Sequence, residues 1–284
     1  MRIFSIRSTL ALVLLAGLSL GCGWAQDDAK TAVEQNQTLW RLFLDWREAR
    51  IEATDSYLLS SPGIAYATVQ DTTMTPLVYR SVAFAALAEA RSIRPHEVVL
   101  ATAFFQFASP PVASPSGGDA NYLNLRGTVD FAYLWRPSGT SFALGAGLSL
   151  TGNSRQLDSL GNSSRNYDIA VSLNPAAEWE YEFRLLGRPT VWRVGATTPV
   201  FSWVQREPAF NVSYAGTRSL WAAPWQFGRI RLATGLSRLL DRSDENRLRL
   251  DYRYDLYVVP DEPGGRSVVT SSHALTLGIS SKTR

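Results

Sequence analysis

NYLNLRGTVDFAYLW, residues Asn121 to Trp135, alternates without a break. Leu123, Leu125, Gly127, Val129, Phe131, Tyr133 and Trp135 fall on one side, and Tyr122, Asn124, Arg126, Thr128, Asp130, Ala132 and Leu134 on the other. Successive side chains of a strand point to opposite faces. The segment therefore reads as a long strand with an apolar, aromatic face and a second face that carries an arginine and an aspartate mid-strand.

The same period recurs along most of the chain from Gly63 onward. Between Asn166 and Leu185, one face holds Tyr167, Ile169, Val171, Leu173, Pro175, Ala177, Trp179, Tyr181, Phe183 and Leu185. The opposite face carries Asp168, Glu178, Glu180, Glu182 and Arg184. Leu248, Leu250, Tyr252, Tyr254, Leu256 and Val258 oppose Arg247, Arg249, Asp251, Arg253 and Asp255. Shorter versions run through Thr140–Leu150 and Arg229–Leu236, the latter with Arg229 and Arg231 on its polar face. Expected strands span 63–70, 76–91, 96–108, 120–136, 140–152, 165–186, 189–205, 228–240, 246–260 and 266–281. This is about ten strands, or roughly 8–12 given the precision of such boundaries.

The N-terminus sets the compartment. Met1 to Arg7 carries two arginines, Leu10 to Leu20 is apolar, and small residues lead to Ala25 before the polar run from Gln26. That order is expected of a secretory signal peptide over residues 1–25. The alternative is cleavage before Cys22 with lipid on that cysteine, because Ser19-Leu20-Gly21-Cys22 loosely resembles a lipobox. Residues 26–60 read as a lead-in, with Leu39–Ala53 as a short amphipathic helix or irregular segment. Residues 61–284 form the strand-rich domain. Cys22 is the only cysteine, so no internal disulfide is available and stability falls to packing and strand pairing. Loss of Arg2 and Arg7 leaves 28 − 2 = 26 basic residues against 25 acidic ones, which removes any reading as a nucleic-acid binder.

Alternation alone also fits a soluble sandwich. Three features point instead to a membrane. Most of the expected strands are longer than the ~5–6 residues usual in globular sheets, and a crossing strand needs ~9–11. Trp135, Trp179, Trp192, Trp203, Tyr252 and Tyr254 sit on or near the apolar faces, several towards strand ends, where a lipid–water boundary favours aromatic rings. Tight turns at Arg136–Gly139 and Leu186–Pro189 alternate with long loops at Ser109–Gly118, Gly152–Ser164 and Glu207–Gly228.

On these residues the chain resembles the bacterial outer-membrane β-barrels. The resemblance is one of architecture across nearly all of the mature chain. It implies an all-β, antiparallel up-and-down transmembrane barrel in the outer membrane, with outer-membrane lipids, lipopolysaccharide and the barrel-assembly machinery as partners. Such barrels commonly finish on an aromatic residue. This chain instead follows Leu275-Thr276-Leu277-Gly278-Ile279 with a polar tail.

In a barrel the charged faces turn inward. The expected interior set is Arg126, Asp130, Asp168, Glu178, Glu180, Arg184, Arg229, Arg231, Arg249, Asp251, Arg253 and Asp255, with Arg193 and Arg247 in the same phase. Charges persist away from bulk water only when paired or wet. A water-filled interior would make a narrow channel for small solutes, the reading that the charged faces slightly favour, whereas interlocked pairs would make a non-conducting surface or structural barrel. A barrel lipase would use Ser271, Ser272 and His273, although a polar strand end is the simpler reading. Glu178, Glu180 and Glu182 have a spacing that any acidic alternating strand shows, so it does not mark a glycosidase. No cofactor or metal is expected. The two histidines, His96 and His273, form no ligand cluster.

Overall fold

The computed structural model describes residues 55–71, 78–109, 111–113, 119–137, 139–157, 165–206, 218–224, 227–240, 246–259 and 268–283. The expected signal peptide, Cys22 and the lead-in around Leu39–Ala53 lie outside these residues. Strand structure dominates them, in thirteen strands. They are β1 (Asp55–Asp71), β2 (Val78–Ile93), β3 (Glu97–Ala108), β4 (Pro111–Ala113), β5 (Asp119–Trp135), β6 (Phe142–Leu157) and β7 (Arg165–Leu185). They continue with β8 (Arg188–Thr197), β9 (Phe201–Arg206), β10 (Arg218–Ala222), β11 (Gly228–Leu239), β12 (Asn246–Val259) and β13 (Val268–Lys282).

Ten of these close into an antiparallel ring in the order β1-β2-β3-β5-β6-β7-β8-β11-β12-β13. The last strand pairs with the first from Tyr57 opposite Lys282 to Asp71 opposite Val268. Closure matters because the hydrocarbon core of a bilayer offers no water to an unpaired sheet edge. At one end of the ring the start of β1 lies beside the end of β13 and the connections are short, among them Arg94–His96 and Leu186-Gly187. This is the turn end. The loop end carries the longer connections.

The outer surface is apolar. Along β5, Phe131, Tyr133 and Trp135 are exposed while Tyr122, Asn124, Arg126, Thr128 and Leu134 are buried, so the opening stretch divides as its alternation requires. Val82, Phe84, Leu144, Leu148, Ile230, Leu232, Leu275, Leu277 and Ile279 continue the apolar exterior around the ring. Contiguous apolar surface on this scale belongs in contact with lipid. Two polar groups on it find partners: Trp192 donates to Thr234 Oγ1 at 2.8 Å, and the Tyr252 hydroxyl meets His273 Nδ1 at 2.7 Å.

Three expectations are corrected. The barrel's first strand begins at Asp55 rather than at residue 61, because β1 pairs with β2 from Asp55 and with β13 from Tyr57. The single strand expected over 189–205 is broken into β8 and β9. Leu173 faces Phe201 and Ala176 faces Thr197, so Asn174 and Pro175 oppose Thr198, Pro199 and Val200 in a bulge. Pro199 cannot donate to the ladder, which is why the interruption falls there. The long loop expected from Glu207 contains β10, which pairs with β9 and extends the wall at the loop end. Five residues ending just before Ala223-Pro224 carry too little periodicity to announce a strand.

Candidate functional site: the charged interior

Long inward side chains fill the ring at two levels. At the turn end, Glu89 and Arg91 come from β2, Arg136 from just beyond β5, Glu178 and Glu180 from β7, Arg193 from β8, and Arg249 and Asp251 from β12. Arg91 grips Glu178 with both terminal nitrogens, one at 2.9 Å, and also donates to Glu180 at 2.7 Å. Arg193 and Arg136 reach Glu180 at 2.8 and 2.6 Å. Arg249 holds Glu89 through two hydrogen bonds of 2.5 and 3.0 Å and Asp251 through its Nε at 2.8 Å. Arg193 joins the two halves through Glu89 at 3.4 Å. Paired two-point contacts of this kind fix geometry as well as charge.

Nearer the loop end, Asp255 of β12 is the hub. Its side chain accepts from Arg126 at 2.9 Å, from Arg229 at 2.7 and 3.1 Å, and from Arg231 and Arg253 at 3.5 and 3.4 Å. Arg231 also pairs with Asp130, and Arg253 lies 3.9 Å from the same carboxylate. Arg229 adds hydrogen bonds to Thr151 and Thr128 at 2.5 and 3.1 Å. Arg253 further rests over the Phe104 ring at 4.3 Å. Beyond this level, Arg155 and Asp168 form a fully buried pair at 2.6 Å.

The decisive feature is which strands these bonds join. In a ring of ten, opposite strands are five places apart. Arg126 on β5 and Asp255 on β12 are five places apart, and so are Arg193 on β8 and Glu89 on β2. Arg91 and Glu178, on β2 and β7, are four apart, as are Arg231 and Asp130, on β11 and β5. Both layers therefore run from wall to wall. The wall formed by β1, β2 and β13 presents small residues inward, including Ala65, Ala67, Ala83, Ala85 and Ala274, which leaves room for guanidinium groups from the other side.

Of the residues singled out by alternation, Arg126, Asp168, Glu178, Arg229, Arg231, Arg249, Asp251, Arg253 and Asp255 are buried, and Asp130 and Glu180 are half-buried within the same networks. Arg184 is exposed, as is Glu182, because β7 has already run past the packed interior towards its turn. Arg184 therefore does not belong to the interior set. Glu89, Arg91, Arg136 and Arg155 belong to it but were not singled out. The signal was available in Glu89 and Arg91, two residues apart in one strand, and in Arg136, which continues the phase of Arg126 and Asp130.

The enzyme candidates are not assembled into a catalytic pair. Ser272 is buried, whereas His273 is exposed on the outer face and bonded to Tyr252 with Tyr254 packed beside it. Glu178 and Glu180 are each committed to guanidinium groups. No cluster of three potential metal ligands occurs among the described residues.

No family model and no curated protein matches the chain. Solved structures do. The outer-membrane protease OmpT from Escherichia coli aligns at a TM-score of 0.51 and 8% identity, covering 82% of this chain and 98% of that one. The fold is that of the bacterial outer-membrane β-barrels. Two others that align are the translocator domain of the autotransporter NalP from Neisseria meningitidis and the neisserial surface protein NspA. The first has a TM-score of 0.43 and 11% identity, covering 89% of this chain and 97% of that one. The second has 0.37 and 10%, covering 80% and 97%. At these identities the likeness of the outer-membrane barrel to its neighbours concerns the fold alone.

Proposed function

We propose that this protein is a non-conducting outer-membrane β-barrel that acts as a surface or structural element rather than as a passage. The apolar exterior supports insertion among outer-membrane lipids and lipopolysaccharide, after export on the N-terminal signal and handling by the assembly machinery. The observation that carries the reading is the pairing of opposite walls. A solute following the axis would have to part Arg193 from Glu89 at one level and Arg126 from Asp255 at the next. Each separation would strand buried charge, a cost of several kcal/mol per pair in general. This favours the interlocked alternative over a narrow channel. No catalytic role is assigned to any residue, and work at the cell surface would fall to the ends of the barrel.

Single-channel recording on the refolded chain, residues 26–284, in planar bilayers tests this. The expected record for the unmodified protein shows insertion without discrete steps. Replacing both Arg126 and Arg193 by alanine should introduce steps, because each removal deletes a wall-to-wall strut. Discrete, reproducible openings in the unmodified protein would overturn the reading in favour of a channel.

A further inference from the structure

Among the described residues, the loop-end layer carries more positive than negative charge. Arg126, Arg229, Arg231 and Arg253 face only Asp130 and Asp255 among the described residues, an excess of 4 − 2 = 2 positive charges. A second observation points to the same place. Arg126 is 1% exposed, and only its Nη2 has a hydrogen-bond partner; Nε and Nη1 have none among the described residues. Strand register sets Gln106 beside it on β3 and Asn153 beside it on β6. Directly opposed residues in antiparallel strands have Cβ atoms only about 4.5–5.5 Å apart. Both amides are buried, at 1% and 2% exposure, and neither polar end of either one has a partner.

Three adjacent inward side chains thus leave donors unused: two guanidinium nitrogens and the amide nitrogens of Gln106 and Asn153. Unsatisfied buried donors are rare because each costs free energy. Water could satisfy the hydrogen bonds but would leave the charge excess untouched. A small anion accepts from these donors and offsets part of that excess.

We infer that Arg126, Gln106 and Asn153 form a binding site for a small inorganic anion of the halide class inside the barrel. The near-complete burial of all three selects for a small, singly charged ion and against bulky phosphorylated or carboxylated ligands. The site requires only the local geometry and charge count, so it stands or falls separately from the closed bore.

The test compares thermal unfolding of the detergent-refolded chain, residues 26–284, in sodium gluconate and in sodium chloride at constant ionic strength. Chloride should raise the unfolding midpoint with a saturable dependence, and bromide should substitute for it. Crystals grown in bromide should show an anomalous-scattering peak beside Arg126. Asn153→Leu, which removes one donor and no charge, should raise the half-saturating chloride concentration by about tenfold or more. Arg126→Gln should abolish saturation. An unsaturable salt response shared by the unmodified protein and Arg126→Gln, or a bromide map without a peak at that position, would overturn the site.

Discussion

The two charged layers of the barrel use the same chemistry with different accounts of charge. At the turn end, Arg91, Arg136, Arg193 and Arg249 meet Glu89, Glu178, Glu180 and Asp251, four against four. At the loop end, four arginines share Asp130 and Asp255. The first layer is a lattice in which each cation has a carboxylate and each carboxylate a cation. The second is a hub, with one carboxylate holding together groups that repel one another. Both span the bore, but among the described residues only the first balances its charges. Equal numbers of arginines therefore do not imply equal stability, because what counts is whether each guanidinium has a counter-charge of its own.

The largest expected effect follows from the hub. Asp255→Asn keeps the shape and removes the charge on which four arginines converge. Breaking a buried ion pair costs about 3–5 kcal/mol, and this substitution should fall at the top of that range or above it. Equilibrium unfolding in urea with lipid vesicles would show it as a lowered midpoint. A loss below about 1 kcal/mol, the size of an exposed pair, would mean that the hub is well hydrated and would remove the contrast between the layers.

A sharper comparison takes one cation from each layer. Arg91→Met at the turn end deprives Glu178 and Glu180 of their shared partner and should destabilise by about 3 kcal/mol. Arg253→Met at the loop end removes a cation whose ion-pair distances are 3.4 and 3.9 Å from a layer that already has too many. Methionine also preserves much of the packing on Phe104. In gluconate the loss should stay within about 1 kcal/mol, and relief of like-charge repulsion can turn it into a gain. Equal losses for the two variants would refute the difference in charge accounting.

Much of this was legible in the sequence, and the limit is physical. Alternation assigns a residue to a face, so Asn121–Trp135 and Arg247–Val258 revealed both the apolar exterior and the charged interior. It fails where the period is interrupted or too short, as at Pro199 and over Arg218–Ala222. It also fails where a strand outruns the packed interior, as at Arg184. Nor can it name a partner across the bore: Arg126 and Asp255 are 129 residues apart, and their meeting depends on ring order, stagger and the small residues of the facing wall. The sequence-level choice between channel and plug rested on partnerships that no periodicity encodes.

The smallest expected effect lies beneath the balanced layer, in the turn joining β7 to β8. Leu186 and Gly187 have φ of 51° and 75°, so a two-residue hairpin is made with both central residues in the left-handed region. Glycine adopts it freely, but for leucine the Cβ approaches the carbonyl oxygen, at about 1–2 kcal/mol in general. Leu186 is 81% exposed, so little packing offsets that strain. Leu186→Asn should therefore stabilise the barrel by about 1 kcal/mol, since Asn-Gly is the pair such turns prefer. Urea unfolding of Leu186→Asn, alone and combined with Arg91→Met, would show whether the gain adds to the turn-end loss. Additivity means that the turn and the ion lattice contribute independently. A gain that vanishes without Arg91 means that the lattice holds the hairpin in its strained form, in which case the order of the turn end is set by its charges and not by its turn.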